Sequence, residues 1–359
     1  MLTQYTGCVA IDRVKGGDAV GRRTMMNTIT SPRKVAKINP ENIQLMNDYL
    51  TYLASTKRSP GTIKVYKNDL LIVFVFMLEH CSNRSFITIK KRDIVALQNW
   101  MINENGNGSA RVRRIKSTLS SFSDYIETIL DDEYPDFKNI IHKIENPVAQ
   151  PVREKSVFTD EELDAILQHL VEDDEFEKAC MVALARYSGR RKAELILYKV
   201  DYFKPENIVF GSLYKTPEKI KTKGRGDGKY MYCYTLVKEF KPYLDMWMAD
   251  REKKGIESEW LFPNPVHPSE HIALTTMNSW ANYIGRFSKK PFYFHALRHH
   301  YVTYLSQAGL PESVVSNIMG WDGTAMVSVY NDTSAEDEIA KYFDEGGIKS
   351  RAPVTISDL

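Results

Sequence analysis

Apolar residues recur at helical spacing through most of the chain. INPENIQLMNDYLTYLAS offers Asn39 as a cap and Pro40 at the first helical position, where a missing N–H costs nothing. SPGT, residues 59–62, starts a second helix that runs through Leu78, and its apolar stretch LLIVFVFML at residues 70–78 is too short to span a bilayer. That stretch is expected to be a buried helix. KKRDIVALQNWMINENG predicts a third helix ending near Gly106, and SARVRRIKSTLSSFSDYIETIL a fourth. ENPVAQPVREKS then has two prolines, mixed charge and no period, the composition of a linker.

Downstream, FTDEELDAILQHL opens with Thr159 followed by Glu162, a capping box, and FEKACMVALARYSGR continues helical. VDYFKPENIVFGSLY and KYMYCYTL are rich in β-branched and aromatic residues and flank GRGDG, which predicts a small antiparallel sheet. Helices return after Trp260 and reach Phe343. The predicted fold is therefore mainly α with a small antiparallel β-sheet, an α+β chain. Its expected divisions are a flexible basic arm over 1–36, a helical domain over 37–145, a linker over 146–157, a second domain over 158–343 and a tail over 344–359.

Composition changes this picture little. The 359 residues are 43% hydrophobic and 26% charged, ordinary for a folded protein, and the net charge of +2 does not itself announce a nucleic-acid partner. Distribution says more: residues 1–36 hold six basic and two acidic residues, and Lys219 to Lys229 is a second basic cluster. Cys8, Cys81, Cys180 and Cys233 lack metal-binding or disulfide-framework spacing, and no secretory apolar region opens the chain. A reducing, cytoplasmic setting without a membrane is expected.

Three separated segments carry the chemistry. YSGRRKAEL at residues 187–195 supplies adjacent arginines, HALRHH at 295–300 sets a histidine one helical turn before an arginine, and GWDGTAMVSVYND at 320–332 places Trp321 and Tyr330. Together and in this order they resemble the tyrosine recombinases, the phage integrase family. Ser188, Gly189, Arg191, Glu194 and Leu195 match that family's first arginine motif, with Arg190 standing where its members usually have an apolar residue. His295 and Arg298 match its H-x-x-R box, with His299 following. Trp321 occupies the position more often held by histidine, where an indole N–H can donate but cannot shuttle a proton. Tyr330 falls at the position of the nucleophile.

The resemblance implies a core-binding first domain and a catalytic second domain that cuts and rejoins DNA through a 3′-phosphotyrosine. Arg191, Lys223, His295, Arg298, Trp321 and Tyr330 would form the site. The lysine, a general acid to the leaving 5′ oxygen, is taken as Lys223 because it precedes the Gly-rich turn; Lys221 and then Lys215 are the alternatives, with Lys219 and Lys229 nearby. Arg111, Arg113, Arg114 and Lys116, with Lys57, Arg58 and Lys64, are expected to meet phosphates.

The implied partners are double-stranded DNA, further copies in a tetramer on paired sites, and an accessory DNA-bending or excision factor. A short helix from Ser334 through Ile339, Ala340, Tyr342 and Phe343 would dock on a neighbour. Two arginines can hold the oxygens of a five-coordinate phosphorus, and the tyrosyl ester conserves bond energy, so no cofactor or metal is expected. No Walker motif or carboxylate cluster with metal-ligand spacing occurs in the sequence. Two other functions remain open at this point: a DNA-binding accessory protein that has lost activity, and a type IB topoisomerase-like relaxing enzyme.

Overall fold

In the computed structural model the described residues are 29–149, 156–222 and 228–333, with the backbone alone of 343–344 and 347–348. The chain divides into two compact units, residues 1–152 and 153–359.

The first unit is helical: α1 (Pro32–Val35), α2 (Pro40–Ser55), α3 (Pro60–His80), α4 (Lys91–Asn99) and α5 (Ser109–Ile129). Asn39 caps α2 by accepting from the Glu41 N–H, and Ser59 caps α3 by accepting from the Thr62 N–H, as the two proline-led starts lead one to expect. The run Leu70–Met77 is largely buried and packs Phe74 against Phe86 and Phe122, ring centroids 6.1 Å apart in each case. The third predicted helix is in two parts, α4 followed by a π-helical turn over Trp100–Glu104, before Gly106 turns the chain with φ 59°.

Two expectations for this unit are corrected. Residues 29–36 do not belong to a free arm: Ile29 is buried in the helical core, Val35 packs on it, and Lys34 pairs with Glu79 at 2.6 Å. The rest of the expected arm, residues 1–28, lies outside the described residues. Arg114 and Lys116 are not free for phosphate either. Arg114 pairs with the buried carboxylate of Asp69 at 2.7 Å, and Lys116, itself buried, donates to the carbonyls of Ile144 and Glu145 at 2.8 Å each. Burial pushes the Lys116 ammonium below its usual range.

The second unit is built on α7 (Phe176–Ser188), packed by α6 (Asp160–Glu172), α9 (Val237–Lys253) and α11 (Phe294–Gln307). Every residue from Ala179 to Ala185 is buried, so α7 is the central rod of this core. Thr159 and Glu162 form the expected capping box at α6. A one-turn helix, α8 (Lys192–Leu195), follows α7, and α10 (Leu274–Ile284), α12 (Glu312–Met319) and α13 (Ala325–Tyr330) complete the described helices.

The β structure expected around GRGDG is antiparallel but stands in two pieces. One sheet has the order β1 (Ile208–Val209), β2 (Leu213–Lys215), β5 (Tyr234–Leu236), and the other is a hairpin of β3 (Ile220–Thr222) with β4 (Lys229–Met231). Residues Val200–Phe203 and Pro205–Asn207, expected as strand, are 3₁₀ turns; Pro205 has no N–H to give a ladder. Near the C-terminus Phe343–Asp344 (β6) pairs with Gly347–Ile348 (β7), register Phe343 to Ile348. Phe343 is thus strand rather than helix, consistent with the helix-weakening Gly346 and Gly347 just after it. Ser334, Ile339, Ala340 and Tyr342 lie outside the described residues.

Candidate active site

The site gathers where α7 ends. Helix α7 exits through Gly189 at φ 61°, and a Cβ there would lie 2.5 Å from the Tyr301 ring, so both conformation and space call for glycine. The exit exposes two carbonyls. Ser188 O accepts from Arg190 Nε at 3.0 Å, and Gly189 O accepts from Arg298 Nη1 at 2.8 Å. Cations are favoured at such a helix C-terminus, where the last carbonyls carry partial negative charge.

The two adjacent arginines part company. Arg190 turns inward and is 1% exposed, whereas Arg191, its side chain 28% exposed, stands at the N-cap position of α8 without a side-chain cap bond. Arg191 Nη1 donates to Glu194 Oε1 at 3.0 Å and to Thr222 Oγ1 at 3.2 Å, while its backbone N–H donates to Glu194 Oε2 at 3.0 Å. Thr222 also donates to Glu194, which ties the end of β3 to this arginine. Burial alone would raise the Glu194 pKa, but Arg190, the Thr222 hydroxyl and Arg191 outweigh it and hold the carboxylate ionised below its usual range.

Helix α11 brings His295 and Arg298 to the same place, being one turn apart. Arg298 is fully buried, and among the described residues its Nε and Nη2 have no hydrogen-bond partner. Burial first, then the charges of Arg190 and Arg191, push its pKa down to about 9. Its guanidinium carbon lies 5.2 Å from the Trp321 ring centroid and 5.3 Å from that of Tyr330. Trp321 follows Gly320, the left-handed exit of α12, and its Nε1 is likewise buried without a partner among the described residues.

Tyr330 ends α13 and is buried, with its hydroxyl 3.1 Å from His295 Nε2. Its ring contacts His299 at 4.5 Å and 29° and Trp321 at 5.1 Å and 34°. The backbone around it is pinned to α11, since Thr303 Oγ1 accepts from the Asp332 N–H at 2.9 Å. His295 is exposed as a residue, and the partial burial it does have, followed by His299, Arg298, Arg191 and Lys192, pushes its pKa down to about 4. The imidazole is therefore neutral at physiological pH and able to accept a proton.

Of the six residues expected in the site, His295, Arg298, Trp321 and Tyr330 converge, and Arg191 stands to one side, linked to Thr222. Lys223 lies outside the described residues. Among its alternatives, Lys221 is exposed on β3, Lys215 Nζ lies 4.3 Å from the Tyr232 ring centroid, and Lys229 is held by Asp322 and by the Gly320 carbonyl at 3.2 Å. Two further residues serve the site without standing out in the sequence. Thr222 is an ordinary strand residue by pattern, and His299 is marked only by following Arg298. No group of three or more potential metal ligands occurs among the described residues.

The arrangement can do one kind of chemistry well. Unpaired N–H donors of Arg298 and Trp321, with Arg191 nearby, form a cationic, partly dry cradle for an oxyanion, and a tyrosine hydroxyl bonded to a neutral histidine stands at its edge.

Residues 156–337 match the phage integrase family. The SPbeta prophage-derived recombinase-like protein YomM of Bacillus subtilis is 29% identical over 233 residues, which cover 62% of this chain and 65% of that protein. A tyrosine recombinase of Thermosipho africanus is 24% identical over 80% of this chain and 93% of its own length. Among solved structures, the XerH site-specific recombinase bound to a palindromic difH substrate matches 89% of this chain and 95% of its own with TM-score 0.61 at 17% identity. A lambda integrase tetramer bound to a Holliday junction matches 80% and 76% with TM-score 0.58 at 20% identity. Among the described residues no helix is long and apolar enough to cross a membrane.

Proposed function

The chain belongs to the phage integrase family of tyrosine recombinases, and from that membership we propose that it is a site-specific DNA recombinase working through a covalent 3′-phosphotyrosine. The observation that carries the reading is the state of Arg298. Among the described residues this fully buried guanidinium has two nitrogens unpaired, a carbonyl as its hydrogen-bond acceptor and two rings beside it, which makes it a costly cation without an anion. A phosphodiester supplies the missing charge and acceptors, and Tyr330 is the nucleophile that the site holds beside it.

In this mechanism the scissile phosphate seats on Arg191, Arg298 and Trp321 Nε1. The Tyr330 oxygen attacks phosphorus as its proton passes to His295 Nε2, the O–P bond to tyrosine forms, and the bond to the 5′ oxygen breaks. Lys223 gives the leaving oxygen its proton. Two guanidiniums and the indole N–H offset the charge that builds on the non-bridging oxygens, an effect of the size expected for preorganised oxyanion donors. Attack by the 5′ hydroxyl of a second strand reverses the step, with protons returning the same way, and the ester conserves the bond energy. The partners are double-stranded DNA and further copies of the chain, four on a pair of sites. Arg111, Arg113, Lys57, Arg58 and Lys64 of the first unit remain the residues proposed to meet phosphates.

Capture on a pool of nicked duplexes with randomised sequence tests the reading. The full chain should form a denaturation-stable protein–DNA adduct with a subset of sequences, in EDTA and without nucleotide. Two duplexes carrying a captured sequence should then exchange strands. Binding without any adduct would mark a DNA-binding protein that does not react, and an adduct that relaxes supercoils but never exchanges strands would mark a relaxing enzyme.

A further inference from the structure

Arg190 has no place in the reaction as described, yet it is a buried cation beside it, almost as enclosed as Arg298. It is 1% exposed, and its forked head reaches two main-chain carbonyls: Nε donates to Ser188 O at 3.0 Å and Nη2 to Ile318 O at 2.7 Å. Sulfur atoms surround the rest, with Met231 Sδ 3.5 Å and Cys233 Sγ 3.8 Å from Nη1 and Met319 Sδ 3.6 Å from Nη2. The two carbonyls belong to the last turns of α7 and α12. One guanidinium thus joins the C-terminal ends of two helices, each of which offers orphan acceptors and partial negative charge.

What leaves those two ends is the site itself. Past Ser188 come Gly189, whose carbonyl holds Arg298, and Arg191; past Ile318 come Gly320 and Trp321. Both exits are tightly built. Gly320 has φ 69° and a Cβ there would lie 2.2 Å from Met231 Sδ, the same side chain that packs on Arg190. A shift of one exit relative to the other would carry the Trp321 donor away from Arg298, whose guanidinium carbon lies 5.2 Å from the Trp321 ring centroid.

We propose that Arg190 is a positioning residue for the phosphate cradle, fastening the end of α12 to that of α7 so that Trp321 Nε1 is held against the phosphate on which the two site arginines converge. An apolar side chain would fill the space among the methionines but leave Ser188 O and Ile318 O without this shared donor. This inference rests on the proposed reaction.

The test is a double-mutant cycle on single-turnover cleavage at saturating protein, with a nicked duplex recovered by the capture experiment. Variants are Arg190→Met, Arg190→Lys, Trp321→Phe and the two combinations, with thermal unfolding and gel filtration run alongside. Arg190→Met should bind DNA close to wild type and cleave roughly 10²-fold slower, the scale of a small misplacement of a catalytic donor. Arg190→Lys, which keeps the charge and one donor, should fall between. In the Trp321→Phe background either change should cost no more than about threefold further, because the donor it positions is already gone. Wild-type rates for the Arg190 variants, or losses that multiply fully with Trp321→Phe, would overturn the role. If Arg190→Met does not fold, Arg190→Lys decides by the same cycle. Absence of any adduct with the wild-type chain would instead remove the reaction, and this role with it.

Discussion

Arg298→Met separates stability from function at the centre of the site. The wild-type side chain is fully buried, keeps one hydrogen bond to Gly189 O at 2.8 Å, and leaves two nitrogens unpaired. Burial, then the neighbouring Arg190 and Arg191, push its pKa down to about 9, well below the ordinary guanidinium range. Because the folded pKa is lowered, the penalty on the charged form is present throughout the neutral range, and at ~1.4 kcal/mol per pH unit it amounts to a few kcal/mol. Methionine is close in length, carries no charge and suits a site already lined by Trp321 and Tyr330. Its cost is the bond to Gly189 O, about 1–3 kcal/mol for a charged donor. The free protein should therefore gain stability, on the order of 1–2 kcal/mol, or roughly 2–8 °C in Tm for a unit of this size. Cleavage should fall by ~10² to 10³ or more. Thermal unfolding of the full chain at neutral pH without DNA, paired with adduct formation on a nicked duplex, reads both. A variant that melts lower and loses cleavage would show Arg298 to be a structural cation, and a variant that cleaves normally would place the reaction elsewhere.

Other outcomes follow from single residues. His295, lowered to about 4, is neutral when folded between pH 4 and its ordinary 6.5, whereas the unfolded chain takes up the proton there. Stability should be fully present above pH 6.5 and be lost as pH falls toward 4, and His295→Gln should flatten that part of a Tm-against-pH curve; an unchanged slope would contradict the shift. Lys116→Met should destabilise the first unit by about 1–3 kcal/mol through the orphaned Ile144 and Glu145 carbonyls, with little change in DNA affinity at equal folded fraction; a pure affinity loss would return Lys116 to the phosphate contacts. Lys223→Ala should cleave slowly on a normal duplex and recover when the leaving 5′ oxygen is sulfur, which departs without a proton; recovery by Lys221→Ala instead would move the general acid.

The candidate site was legible because the order of its motifs resembles that of one family, and its residues sit on regular local signals. Arg191 follows a glycine that ends a helix, His295 and Arg298 share one turn, and Trp321 follows a second glycine exit, so local spacing already limits where each side chain can go. Tertiary partners were not legible. Nothing local says that Arg190 turns inward to two carbonyls while Arg191 turns to Glu194, since adjacent residues differ only in which way the chain leaves Gly189. For the same reason Arg114 and Lys116 look like a solvated basic face until Asp69 and the Ile144–Glu145 carbonyls are seen opposite them. Ile29 shows the limit of periodicity: one buried side chain and a single turn of helix draw residues 29–36 into the core without a repeating pattern.

The most direct measurement is the identity of the residue that carries the DNA. Adduct from the wild-type chain and a nicked duplex, digested and mapped by mass spectrometry, should place the phosphate on Tyr330. Tyr330→Phe, which keeps the ring against His299 and Trp321 and removes only the oxygen, should bind the same duplex and form no adduct. A denaturation-stable adduct from Tyr330→Phe, or a linkage mapped to another side chain, would contradict the assignment of Tyr330 as the nucleophile.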